Sequence, residues 1–319
     1  MAADEYHRPT KVAVIGAGNV GATFAYALLQ SGLASEIVLI DANHARAEGE
    51  AMDLNHAAPL ARPARVWAGD YPDVAGAAVT VVTAGSAQRP GETRLDLTTR
   101  NVEIFKSIIP RVAEHNPSGI ILIATNPVDI LSYAAWKLSG LPKERVFGSG
   151  TVLDTARFRY LLSQYFKVDP RSVHAYIIGE HGDSEVPVWS LANIAGMRLP
   201  VYCAQNDMGC AEEDLEDIFR RTRDAAYHII ERKGATYYAI ASGLLRIVEA
   251  ILRDQSTVMS VSSYIQNYYD IEDVYLSLPT IIDAGGVERI LRLELAPEEI
   301  IGLRNSANVL RQLIHDLKL

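Results

Sequence analysis

The sequence contains no apolar run near the roughly 20 residues that a bilayer-spanning helix needs. Its first ten residues are polar and lack the apolar core of a signal peptide. A cytoplasmic location is the expectation. Positive charge is in deficit: 30 Lys and Arg stand against 39 Asp and Glu, a formal net charge of −9. A general nucleic-acid or anionic-membrane partner demands a basic face, so both classes are excluded, although a local basic pocket is not. Cysteine is scarce. Cys203 and Cys210 match no metal-ligand spacing and no His cluster accompanies them, so two free thiols in a reducing compartment and no metal site are expected. Internal repeats and low-complexity segments are absent. What remains is 319 residues, 49% hydrophobic and 22% charged, enough for a large core and two domains or lobes.

The first half alternates short apolar runs with longer amphipathic segments. Strands are expected at 11–15, 36–40, 65–68, 79–83, 120–124 and 146–147, with helices at 20–31, 44–55, 95–115 and 128–138. This βαβ rhythm, with runs apolar on both faces, predicts a doubly wound parallel sheet of the Rossmann kind. Near residue 150 the rhythm changes. A helix is expected at 153–166, a strand at 172–178 and an irregular region to about 209. Helices at 211–233 and 236–252, strand-like runs at 258–264 and 274–278 and a final helix at 297–319 follow. The fold class is therefore α/β, with a dinucleotide-binding domain over 1–150 followed by an α+β catalytic domain over 151–319.

Gly16-Ala17-Gly18-Asn19-Val20-Gly21 fits GxGxxG between a strand and a helix, the context that gives the pattern meaning. Gly16 permits the tight turn, Gly18 lets a pyrophosphate approach the backbone, and Gly21 lets helix and strand pack closely. Asp41 ends the second strand. A carboxylate there accepts from ribose hydroxyls and repels a 2′-phosphate, which favours NAD over NADP.

The loop 84–94 follows the fourth strand and carries Gly85, Arg89, Pro90, Gly91 and Arg94. A polar loop with cations at a strand end is where an α/β enzyme places a lid over an anionic substrate. Asp154 and Arg157 share one helical face at i and i+3; alone they would read as a surface ion pair worth under ~1 kcal/mol. His181, between Gly179 and Gly182, would alone read as structural. Together the four suit one chemistry. Reduction of a carbonyl by a nicotinamide needs a proton donor, supplied by His181 held by Asp154. A substrate carboxylate calls for the planar fork of Arg157. A carbonyl gathering negative charge calls for a second cation, Arg94.

With these residues in hand, the chain resembles the bacterial L-lactate dehydrogenases of the lactate/malate dehydrogenase family. The resemblance runs nearly end to end and rests on Thr125-Asn126-Pro127-Val128-Asp129, on 148–157 with Asp154 and Arg157, and on Ile178-Gly179-Glu180-His181-Gly182-Asp183-Ser184. It implies NAD-dependent interconversion of pyruvate and L-lactate in glycolytic fermentation. His181 would be the acid/base, Asp154 its orienting partner, Arg157 the carboxylate clamp and Arg94 the carbonyl polariser. It further implies that Asn126 and Thr236 contact substrate. Val20, Asn126, Ser149 and Ile240 would join Gly16, Gly18, Gly21 and Asp41 around the cofactor.

The alternative is an NAD-dependent malate dehydrogenase. A malate enzyme of this kind would carry Arg where this chain has Gln88, to pair the second carboxylate of oxaloacetate. Neutral Gln88 favours pyruvate, because a buried carboxylate beside it would lack a partner. Arg89 is adjacent and would serve if the loop register slipped. A catalytically silent NAD-binding scaffold is the reading from another class, disfavoured by Arg94, Asp154, Arg157 and His181. Finally, Arg159 lies roughly 200° around the helix from Arg157 and so faces elsewhere. The resemblance suggests that Arg159 and His174 form an allosteric site for fructose 1,6-bisphosphate across a subunit interface of a homotetramer.

Overall fold

The computed structural model describes residues 10–86, 91 and 93–319, and Arg94 by its backbone alone. The first half runs β1 (Lys11–Ile15), α1 (Asn19–Ser31), β2 (Glu36–Ile40), α2 (His44–Ala57), β3 (Arg65–Ala68), β4 (Val79–Val82), α3 (Arg94–His115), β5 (Ile120–Ile123), α4 (Val128–Ser139) and β6 (Val146–Gly148). The second half continues with α5 (Val152–Phe166), β7 (Val173–His174), β8 (Ile177–Ile178), β9 (Val186–Pro187), β10 (Asn193–Ile194), β11 (Met197–Arg198), α6 (Leu199–Gln205), α7 (Glu212–Lys233), α8 (Tyr238–Leu252), β12 (Thr257–Ile265), β13 (Val274–Asp283), β14 (Gly286–Ile290) and α9 (Pro297–Leu317).

Strands β1 to β6 pair in parallel in the spatial order β3-β2-β1-β4-β5-β6, the doubly wound arrangement. β4 and β5 are buried at every position, which is why their sequences are apolar throughout except for Thr80 rather than alternating. One core under the sheet centres on Val12, Phe24, Leu28 and Phe147, and the other on Ile15, Phe105, Ile109 and Ile123. The order reverses between β1 and β4, which opens a crevice at their carboxyl ends.

The sheet does not stop at residue 150. β12 joins β6 antiparallel through Ser262 and Gly148, and β13 and β14 extend it to nine strands. The expected single strand over 172–178 is two short ones belonging to different sheets: β7 pairs with β10, and β8 with β9. The chain changes partner sheet at Ala175–Tyr176, where the Tyr176 carbonyl accepts from Val188 N–H. The segment expected to be irregular holds β9 to β11 and α6, elements too short for periodicity to show. The two free thiols are corrected as well. Cys203 and Cys210 are joined as a disulfide, because the turn after α6, with Asp207 at φ 51°, folds the chain back to a Cα separation of 6.1 Å.

Candidate active site

Buried hydroxyls pin α5 to β8 and so fix the site. Thr151 Oγ1 donates to the Ile177 carbonyl at 2.6 Å, and Ile177 N–H donates to Thr155 Oγ1 at 3.0 Å. Beyond β8, Gly179 adopts φ 91°, a left-handed conformation that suits glycine. It exchanges two 2.8 Å backbone hydrogen bonds with Ser277 of β13. The loop then presents His181 to the first turn of α5.

Asp154 lies there and divides its carboxylate between two partners. Oδ1 accepts from Arg157 Nη1 at 2.9 Å, and Oδ2 meets His181 Nδ1 at 2.5 Å. The Asp154 side chain is 3% exposed and that of Arg157 13%, so this is a buried pair, unlike the surface bridge that i,i+3 spacing alone suggests. Burial pulls the His181 pKa down. The Asp154 charge and hydrogen bond, with Asp129 and Glu185 adding, outweigh it and raise the imidazole to about 9. Burial likewise pushes Asp154 up, but His181 and Arg157 together bring it below the ordinary carboxylate range. With Nδ1 committed to Asp154, Nε2 is the nitrogen left for a substrate proton. Among the described residues Arg157 uses only Nη1, so the rest of its fork is available to a carboxylate.

Two further carboxyl groups face this centre. Glu185 is 6% exposed and its Oε1 has no hydrogen-bond partner among the described residues. Burial first, and then the Asp154 charge, raise its pKa to about 8 against the pull of His181, Arg157 and Arg223. Asp129, in the first turn of α4, accepts the His181 backbone N–H at 2.8 Å and the Ser262 hydroxyl at 2.6 Å. The sequence reading assigned neither a role. Asp129 stands inside the 125–129 motif, which was the available signal; nothing in the sequence distinguishes Glu185.

The crevice between β1 and β4 is a cleft of about 710 Å³ lined in part by Gly16, Gly18, Asp41, Thr83, Gly85 and Arg111. Its glycines fit a dinucleotide. A Cβ on Gly16 would lie 2.6 Å from Ala84 N, and one on Gly21 would lie 1.9 Å from the Gly16 carbonyl oxygen. A Cβ on Gly18 would meet nothing within 4 Å. Gly18 caps α1 without a side-chain hydrogen bond, so the helix N-terminus faces open space suited to a pyrophosphate. Asp41 accepts from Ala17 N–H at 2.7 Å and Asn43 N–H at 2.8 Å at the cleft wall, where a ribose would lie. The Arg111 guanidinium, 3.7 Å from the Tyr71 ring centroid, closes the far side.

Among the other predicted residues, Ser149 is buried at the end of β6 and donates its N–H to the Ile123 carbonyl at 2.8 Å. The Asn126 side chain is exposed, while its carbonyl accepts from Asn101 Nδ2 at 2.9 Å. Asn101 Oδ1 also accepts from Ser86 N–H at 2.8 Å, so this one buried side chain stitches the root of the 84–94 loop to the Asn126 turn. Val20 and Ile240 pack on the same apolar cluster, and Thr236 is half-buried between α7 and α8. Gln88 and Arg89 lie outside the described residues, as does the side chain of Arg94. Arg159 Nε donates to the Ala175 carbonyl at 2.9 Å, and His174 on β7, the residue before Ala175, is exposed. Among the described residues no cluster of three or more His, Cys, Asp or Glu could hold a metal, and no helix is long and apolar enough to cross a membrane.

Residues 10–148 match the family model of the lactate/malate dehydrogenase NAD binding domain, and residues 151–318 that of the lactate/malate dehydrogenase alpha/beta C-terminal domain. The chain is 54% identical to an L-lactate dehydrogenase of Priestia megaterium over 303 residues, covering 95% of each chain. It is 52% identical to L-lactate dehydrogenase 1 of Clostridium acetobutylicum, covering 95% of this chain and 97% of that one. A solved lactate dehydrogenase from a Medee basin deep-sea metagenome library superposes with a TM-score of 0.95 at 46% identity, over 98% of this chain and 100% of that one. The minor L-lactate dehydrogenase of Enterococcus mundtii superposes at 0.93 with 42% identity, over 97% and 98%. The chain thus belongs to the lactate/malate dehydrogenase family, as an NAD-dependent oxidoreductase with its cofactor on the Rossmann half.

Proposed function

We propose that the protein interconverts pyruvate and L-lactate, with His181 as the acid/base. The observation that carries this reading is the Asp154 carboxylate shared between His181 and Arg157. It ties a proton donor and a carboxylate clamp into one rigid unit. Gly16, Gly18, Gly21 and Asp41 would hold NADH in the β1–β4 crevice, and the cofactor would supply the hydride there. Arg157 holds the substrate carboxylate. Protonated His181 gives its Nε2 proton to the carbonyl oxygen, and Asp154 stabilises the imidazolium before the transfer. Arg94 enters with the loop and polarises the carbonyl. Loop closure excludes water and strengthens each of these contacts. Lactate oxidation uses the same atoms in reverse and needs neutral His181. Asn126 and Thr236 shape the pocket, and Val20, Ser149 and Ile240 border the nicotinamide.

Neutral Gln88 supports pyruvate over oxaloacetate, and the relatives from Priestia megaterium and Clostridium acetobutylicum are L-lactate dehydrogenases. The test is a steady-state panel of pyruvate, oxaloacetate and longer 2-keto acids with NADH. A higher kcat/KM for oxaloacetate than for pyruvate would overturn the assignment. The proposed setting is a cytoplasmic homotetramer with catalytic and cofactor domains meeting near residue 150. Fructose 1,6-bisphosphate is proposed to bind at Arg159, whose Nε donates to the Ala175 carbonyl, and at His174, the exposed residue before Ala175. If that effector leaves both pyruvate KM and oligomer size unchanged at acidic and neutral pH, the regulatory part fails.

A further inference from the structure

Glu185 is a buried carboxyl, 6% exposed, that the proton transfer leaves unused. It stands just before β9, where a turn closed by its own N–H on the Gly182 carbonyl at 3.2 Å brings the chain back past His181. Val186, the next residue, belongs to the apolar cluster under α9, and a Cβ on Gly302 would lie 3.1 Å from one of its methyl groups. Glu185 serves the opposite side. The charges that act on it are those of Asp154 and Arg157 on α5, His181 in its own loop and Arg223 on α7. Arg223 is shared, since Asp224 accepts from it at 2.9 Å and Asp183 acts on it as well. Asp129 on α4 adds its charge to the same centre through the His181 ring. Glu185 Oε1 has no hydrogen-bond partner among the described residues. Ionised, the group would be a buried charge without a bonded partner, a far costlier state than the neutral acid.

We propose that Glu185 sets the affinity for substrate: it must hold its proton for the carboxylate of a 2-oxo acid to settle on Arg157, so that binding at alkaline pH draws a proton onto Glu185 besides the one on His181. The inference rests on the assignment of Arg157 as the carboxylate clamp and His181 as the proton donor. Arg157 already answers to Asp154. A substrate carboxylate is a second anion on the same guanidinium, and an ionised Glu185 would be a third in a site with little water to screen it. Burial keeps the proton on Glu185 up to about 8, so the neutral acid prevails near neutral pH and is lost above it. A carboxylate arriving beside Arg157 favours the protonated form further, and by linkage deprotonation weakens binding to the same extent. An acid buried for packing alone would titrate without regard to substrate.

The test counts the protons taken up when oxamate, a non-reacting analogue of a 2-oxo acid, binds the enzyme–NADH complex, read by calorimetry in buffers of different ionisation enthalpy. His181 alone accounts for no more than one. At pH 9.5 an uptake of roughly one and a half protons is expected in the wild-type enzyme, and one or fewer in Glu185→Gln. The logarithm of pyruvate KM should steepen with pH toward a slope of about two in the wild type and about one in the variant. Glu185→Gln also removes a charge that helps hold the proton on His181, so its kcat limb moves to the acid side; the slope and the proton count, not the midpoint, decide. Should the variant not fold, the wild-type enzyme is read by infrared spectroscopy. Oxamate added at pH 9.5 should restore the C=O stretch of a protonated carboxylic acid, and ¹³C labelling of glutamate should shift it. An uptake of one proton or fewer in the wild type, equal slopes, or no such band overturns the proposal. Wild-type oxamate affinity in Arg157→Gln would instead remove the reading on which it rests; with binding lost there and the uptake no greater than one, only the role of Glu185 falls.

Discussion

Asp154 Oδ2 and His181 Nδ1 lie 2.5 Å apart although 27 residues separate them in sequence. The bond closes the gap between α5 and the loop after β8, and it raises the pKa of a half-buried imidazole above its ordinary value. The acid–base expectations for this protein depend on that pair.

Asp154→Asn keeps the shape and removes the charge that raises His181. The imidazole is then neutral over more of the pH range, so pyruvate reduction loses its proton donor at lower pH. The alkaline limb should move to the acid side, and kcat should fall by about 10²–10⁴-fold. Rate profiles of the two enzymes between pH 5 and 10 check both.

Glu185 makes a prediction about stability. Its folded pKa, about 8, is raised above the ordinary 4.5, so between these values the native state binds more protons than the unfolded chain. This group therefore lowers stability as pH rises from about 5 to 8. Glu185→Gln cannot ionise and removes that contribution. Urea unfolding at pH 5 and pH 8 should show a smaller loss of stability in the variant. Parallel slopes would contradict the burial argument.

The fingerprint glycines should separate by role. A Cβ on Gly21 collides with the Gly16 carbonyl oxygen, so Gly21→Ala should lose roughly 1–3 kcal/mol of stability through overpacking. A Cβ on Gly18 meets nothing in the protein but occupies the space of the pyrophosphate. Gly18→Ala should keep its Tm while NADH affinity falls roughly tenfold, on the order of 1.4 kcal/mol. Thermal melts and NADH fluorescence titrations read the two effects apart.

Gln88→Arg should shift preference from pyruvate toward oxaloacetate by supplying the charge that a second carboxylate needs. The ratio of the two kcat/KM values in each enzyme is the measure.

Much of this was readable in the sequence because it is carried by local pattern. Val79 to Val82 and Ile120 to Ile123 are buried on both faces, so their composition alone announces inner parallel strands. Gly16, Gly18, Gly21 and Asp41 act through backbone geometry within one βαβ unit, and spacing records that. What spacing does not record is contact between distant segments. The hold of Asp129 on His181, the role of Asn101 under the loop root, and the environment of Glu185 arise only when separate elements pack. The short strands around His174 and Val186 escaped for another reason: two residues carry no period. Cys203 and Cys210 were misjudged because compartment arguments say nothing of the turn that joins them.

The central claim is that His181 exchanges the substrate proton. The most direct measurement is turnover of His181→Asn in both directions, set beside its NADH affinity. Wild-type NADH binding is expected, with both pyruvate reduction and lactate oxidation reduced by about 10²–10⁴-fold. Turnover within a fewfold of the wild-type enzyme in either direction would contradict it.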